Sequence, residues 1–182
     1  LEVSPFSPRK LMAALGESFP AKTTDPKAFN KVALRVKAAG DRKHVSVSEG
    51  LVKLDDSTLT FNLRAKEFSK PDVAFDINLD HIDLDRYLPP PGKENPKKAK
   101  PRPSEKKKID YAPLRRLVVN GTIRIGKAKA HGAGFHNLYM KVAGRNGLFH
   151  VDPLSLKLYS GSLSSHAALD VRKDIPKGQM EL

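Results

Sequence analysis

Residues 73–80, VAFDINLD, place a large apolar side chain at every odd position and a small, acidic or amide one at every even position. Because successive side chains of a strand point to opposite faces, Val73, Phe75, Ile77 and Leu79 share one face and Asp76, Asn78 and Asp80 the other. The same alternation pairs Leu34 and Val36 with Arg35 and Lys37, and Val45 and Val47 with Ser46 and Ser48. It also sets Leu59, Phe61, Leu63 and Ala65 against Thr60, Asn62 and Arg64. Strands buried on both faces read as continuous hydrophobic runs, so these segments predict antiparallel sheet covered on one side only. Farther on, Leu117, Val119, Ile123 and Ile125 resume the pattern, with Gly121 read as a bulge or bend. LYMKVAGRNGLFHV is a predicted hairpin turning at Asn146-Gly147. Leu154, Leu156 and Leu158 continue past Pro153, and Ala167, Leu169 and Val171 form a last strand.

Helical signals are confined to short stretches. Ser7 can cap a helix that has Pro8 at its first position and stops at Gly16. Asp25-Pro26 signals a second helix through Ala28 and Phe29, and Asp110 to Leu117 a brief turn. The expected fold is mainly β: a curved, twisted antiparallel sheet of repeated strands with short N-terminal helices. Three segments follow from composition: helices and a first β repeat over 1–88, a Lys/Pro-rich linker expected to be disordered over 89–108, and a second β repeat, continuous with the first sheet, over 109–182. The prolines at 89–91 are expected to end the strand that starts near Val73. The halves echo each other, VSEGLVKLDDSTLTFNLRAKEF against VAGRNGLFHVDPLSLKLYSGSLSSHAALDV.

The formal charge of +13 directs attention to anionic partners. Much of it is local: residues 89–108 hold seven Lys and one Arg against two Glu. No aromatic interleaves with that run, so bases have no stacking platform and nucleic acid is not an expected partner; the run reads first as a solvated linker and second as a contact for an anionic membrane surface. The chain has no cysteine, which excludes disulfides, thiolate metal sites and cysteine nucleophiles. No apolar run of the length needed to span a bilayer is present. The chain opens at Leu1 and is read as an excerpt from a longer protein.

Catalytic and metal motifs fail on spacing. A calcium loop starting at Asp76 needs Gly at its sixth position and Glu at its twelfth, where His81 and Tyr87 stand. His131 and His136 lack a nearby third ligand, SGSLSS is not a nucleophile elbow, and HGAGF lacks a phosphate-cradle spacing. The expected protein is therefore not an enzyme and needs no cofactor or metal. What remains is a large amount of one-sided strand. Closed against another sheet, the apolar face is core; left open on a long curved sheet, it lines a groove for acyl chains. The candidate groove residues, chosen by alternation, are Leu59, Phe61, Leu63, Val73, Phe75, Ile77, Leu79, Ile123, Ile125, Met140, Val142, Leu156 and Leu158.

FDINLDHIDLDRYLPPP resembles a recurrent segment of the AsmA family, in which an aliphatic–acidic strand leads into DLDRYLP. VNGTIRIGKAKAHG is similar to the strand that follows it, and NGLFHVDPLSLKLYSGSLSSHAALDV to the family's later hairpin. FSPRKLMAALG, TTDPKAFNKVALRVKAAGD and LVKLDDSTLTFNLRAKEFSKPDVAFDINLD match upstream in the same order, so the resemblance covers almost the whole chain. It implies the periplasmic portion of a protein anchored in the inner membrane of a Gram-negative bacterium. The implied role lies in outer-membrane biogenesis, binding or transferring phospholipid along a β-sheet groove built from neighbouring repeats. The alternative is a structural scaffold for outer-membrane protein assembly, its apolar face sealed by its own side chains.

Overall fold

The structure, a computed structural model, describes residues 1–90 and 110–181; the expectation of a disordered linker lies, from residue 91 on, outside the described residues. Ten strands form one open sheet in sequence order: β1 (Glu2–Phe6), β2 (Val32–Gly40), β3 (His44–Leu54), β4 (Ser57–Lys66), β5 (Asp72–Asp83), β6 (Val118–Ala130), β7 (Ala133–Arg145), β8 (Leu148–Leu158), β9 (Gly161–Asp170) and β10 (Lys177–Glu181). The chain is mainly β, as its alternation predicts. Every neighbouring pair is antiparallel except β5 and β6, which run parallel. This corrects the wholly antiparallel expectation. Residues 84–117 separate the two strands, long enough to carry the chain back to the end where β5 began.

Strands β1 and β10 were not anticipated, since EVSPF and KGQME show no alternation; both are short, exposed edges. The helix α1 (Pro8–Ala14) starts as predicted, with Ser7 Oγ accepting from the Lys10 N–H. The second predicted helix does not form. Residues 25–29 make a turn ending at Phe29 with φ 61°, and the Asp55 carboxylate takes the N–H groups of Phe29, Asn30 and Lys31. A short α2 (Ala112–Arg116) precedes β6. Strand β5 ends at Asp83, ahead of the prolines expected to stop it, because Asp83 caps a 3-10 turn over Leu84–Arg86. The Asn146-Gly147 hairpin forms as predicted, both residues with positive φ.

The sequence echo becomes a structural repeat once registers are compared. Residues 32–65 and 136–169 superpose in role at a constant offset of 104 with no gap, matching Leu34 with Leu138, Lys37 with Lys141, Gly40 with Gly144, Val47 with Val151, and Leu54 with Leu158. The middle strand of each meander bulges at the same place, between Val47 and Gly50 in β3 and between Val151 and Leu154 in β8. Each following turn opens on a residue with positive φ, Asp55 or Tyr159. Strands β1 and β6 precede the meanders and β5 and β10 follow them. The sheet is two five-strand units, and the single parallel pair is their junction.

Candidate functional site: an uncovered apolar face

Directly paired residues share a face of the sheet, so the registers sort the side chains into rows crossing β2 to β9. One row runs Leu34, Val52, Leu59, Leu79, Ile125, Leu138. The next runs Val36, Gly50, Phe61, Ile77, Ile123, Met140, Leu154. A third runs Ala38, Val47, Leu63, Phe75, Gly121, Val142, Val151, and a fourth Val45, Ala65, Val73, Val119, Gly144, Phe149, Leu169. Leu156 and Leu158 extend the same side of β8, opposite Leu163 and Gly161. All thirteen sequence-predicted residues therefore stand on one face.

Alternation alone missed a fifth row. In three adjacent strands the apolar spacing lengthens from two to three: Leu79 to Ile82, Ile125 to Ala128, Phe135 to Leu138. The residues at the break are neighbours. A side chain at Gly126 would strike the Asp80 carbonyl, Asn137 takes φ 52°, and the β7–β8 register slips between His136 and Tyr139. The break resets the phase, so Ile82, Ala128, Phe135 and Leu158 pair in turn as a further apolar row. Spacing of three across neighbouring strands was the available signal.

Among the described residues no second layer of strands or helices packs over these rows. Among the described residues the buried hydrophobics are Ala28, Ala33, Ala128 and Val171, none larger than valine. Each of the thirteen is half-buried, set between its row neighbours. A sealed-core scaffold needs a covering layer that the described residues do not supply. The opposite face is polar, with Arg35, Thr60, Asn78 and Arg124 in one row and Asn62, Asp76, Thr122 and Lys141 in another. Clefts of about 330 and 380 Å³ lie there, between side chains such as Arg35, Asn62, Arg64 and Asp76.

Three phenylalanines lie flat. A Cβ built on Gly50 would stand 2.5 Å from Cε1 and Cζ of Phe61, and one on Gly121 2.5 Å from Cδ2 and Cε2 of Phe75; Gly144 meets the Phe149 ring in the same way. Each ring covers the backbone of the neighbouring strand where any other residue would push it upright. This corrects the reading of Gly121 as a bulge, because the β5–β6 register runs through it without a slip. The flat rings keep the floor of the apolar face low at three points.

The segment DLDRYLP closes one end of the sheet. Asp85 accepts the N–H groups of His131 and Gly132 at 2.5 and 2.9 Å, holding the β6–β7 turn. Arg86 reaches Asp25 at 2.8 Å and Asp56 at 3.0 Å, and the Tyr87 hydroxyl donates to Asp55 at 3.0 Å. Asp55, at the β3–β4 turn, also accepts from Phe29, Asn30 and Lys31 at 2.8 to 3.0 Å. The Leu88 carbonyl accepts the Thr24 N–H and hydroxyl, and Phe29 joins the rings of Tyr87 and Phe19. Burial acts to raise the Asp55 carboxyl, but the hydrogen bonds from Lys31, Phe29, Asn30 and Tyr87 together hold it below the usual range. Burial, and then the bond to Asp55, push the Tyr87 hydroxyl up to about 12. The acids on the polar face of β5, ahead of this segment, are also engaged. Asp76 accepts from Thr122 and Arg124, and Asp80 accepts the Thr58 N–H at 2.8 Å. Their oxygens are turned to separate partners rather than to one ion.

Among the described residues, fold and site together define a single-layer, two-unit β-sheet with one apolar face left uncovered. Comparison with known families, with curated proteins and with solved structures finds no match to this chain. Among the described residues, no helix is long and apolar enough to cross a membrane.

Proposed function

We propose that this chain is a non-enzymatic, lipid-binding part of a bacterial envelope protein, laying phospholipid acyl chains on its uncovered apolar face so that they are held or passed along the sheet. The single observation that carries this reading is the set of apolar rows over which the described residues place no second layer. Contiguous exposed apolar surface of this extent marks a binding surface in a protein that stays in solution. Each methylene moved from water onto the face contributes about 0.8 kcal/mol, so a tail of ~15 methylenes supplies ~12 kcal/mol against the costs of ordering it. The resemblance to the AsmA family supports a periplasmic setting, an inner-membrane anchor elsewhere in the parent protein, and a role in outer-membrane biogenesis. Neighbouring repeats would then continue the face on either side.

Native mass spectrometry of protein purified without detergent tests the reading. The wild type is expected to carry phospholipid. Phe75→Asp sets a charge in the third apolar row and is expected to cut loading at least fivefold, while Asn62→Asp on the polar face leaves it unchanged. Equal loading of a folded Phe75→Asp variant and the wild type contradicts the proposal.

A further inference from the structure

The end of the sheet opposite the DLDRYLP closure carries the same five-residue pattern twice. Lys66-Glu67-Phe68-Ser69-Lys70 runs from the last residue of β4 into the β4–β5 connection, and Lys173-Asp174-Ile175-Pro176-Lys177 from the β9–β10 connection onto the first residue of β10. Both read lysine, acid, large hydrophobe, small or rigid residue, lysine. They lie on corresponding connections of the two five-strand units, three residues out of step with the 104-residue offset, because β5 and β10 each follow a three-strand meander and start from this end. The hydrophobe at the tip is exposed in both: Phe68 to 51% and Ile175 to 81%. All four lysines are exposed. Asp174 pairs with Arg115 at 2.8 Å, and the backbone N–H of Glu67 donates to the Lys43 carbonyl. Five strand spacings separate the two tips, about 24 Å. Arg42 and Lys43 in the β2–β3 connection and Arg145 before the β7–β8 turn add positive charge along the same end.

We propose that this end of the sheet docks on an anionic phospholipid bilayer. Phe68 and Ile175 enter the boundary between headgroups and acyl chains, and Lys66, Lys70, Lys173 and Lys177 meet lipid phosphates. A large hydrophobe between two long cationic side chains suits that boundary, where the ring or branched chain leaves water and the ammonium groups stay at headgroup level. Basic residues near an anionic surface add attraction that weakens with salt. Two such tips on one continuous sheet give two-point attachment. Among the described residues the opposite end lacks this recurrence: its corresponding turns are Asp55-Asp56 and Tyr159-Ser160, and the two aspartates are engaged in the closure. The docking surface stands on its own evidence, whether or not the apolar face holds acyl chains.

The chain contains no tryptophan, so single introduced tryptophans report insertion without background. Phe68→Trp and Ile175→Trp, made separately, are expected to shift to shorter emission wavelength with phosphatidylglycerol–phosphatidylcholine vesicles and to be quenched by brominated acyl chains. Tyr159→Trp, at the other end and 79% exposed in the parent residue, is expected to do neither. The double variant Phe68→Ser, Ile175→Ser keeps every charge, the basic linker included, and is expected to bind these vesicles at least about tenfold more weakly. Absence of a shift at both tips overturns the proposal. So does an equal shift at position 159, or unchanged vesicle binding by the double variant, since each outcome assigns the attraction to net charge alone.

Discussion

Asp55→Ala is expected to lower the melting temperature by about 6–12 °C. The carboxylate takes three backbone N–H groups and a tyrosine hydroxyl, so its loss leaves four donors without their acceptor. Hydrogen bonds to a charged group are worth ~1.5–3 kcal/mol singly and add poorly, which puts the total near 3 kcal/mol. A chain of this length shifts by ~2–4 °C for each kcal/mol. The effect exceeds that of any exposed ion pair in the sheet, such as Lys37–Glu49, whose contribution is ~0–1 kcal/mol. The acid limb carries the same signature. Asp55 has a folded pKa below its unfolded value of ~3.9, so its contribution is complete above about pH 5 and is lost as pH falls through the folded pKa. Thermal melts should show the wild type losing stability below about pH 4, with Asp55→Ala losing less over the same window. Tyr87 supplies the opposite limb: its folded pKa of about 12 lies above the unfolded ~10, so its contribution is full below pH 10 and fades between 10 and 12. Tyr87→Phe should flatten the alkaline limb.

Gly121→Val is the second large effect, and it acts on the apolar face itself. The new side chain begins 2.5 Å from two Phe75 ring atoms, so the ring must leave the β6 backbone and rise into the space above the third row. Overpacking of this kind costs ~1–3 kcal/mol, partly offset by the ~0.5–1 kcal/mol gained when glycine leaves a strand interior. Urea unfolding of Gly121→Val, Phe75→Ala and the double variant separates these contributions. A coupling of at least about 1 kcal/mol is expected, because valine is tolerated once the ring is gone. Purely additive costs would show that the ring does not need the glycine. On the proposed function, Gly121→Val also reduces lipid loading in its folded fraction, since the raised ring obstructs the floor.

Period-two alternation exposed the strands, and with them the face on which all thirteen candidate residues stand. Asn146-Gly147 and Ser7-Pro8 were legible for the same reason: each signal acts within a few residues and needs no distant partner. Failures of the reading came where a distant partner decides. The helix expected at Asp25-Pro26 loses to Asp55, which lies 24 to 26 residues from the N–H groups it binds. The parallel β5–β6 pairing follows from a long connection between the two strands and leaves no pattern in the strands themselves. Gly121 looked like a bend because a glycine in a strand often is one; only the facing ring of Phe75 gives the actual reason. DLDRYLP carried part of the resemblance, yet its work is to tie two turns and the N-terminal loop together. The fifth row was present in the sequence as three matched spacings, but only registers show that the three breaks sit side by side.

Photo-crosslinking at adjacent positions on opposite faces tests the central claim most directly. A benzophenone side chain placed at Leu63 or Ile123 points from the apolar rows, and one at Asn62 or Arg124 from the polar face of the same strands. Irradiation of cells expressing these variants is predicted to yield phospholipid adducts at Leu63 and Ile123 and none at Asn62 and Arg124. Adducts equally abundant on both faces, or confined to the polar face, would contradict the account.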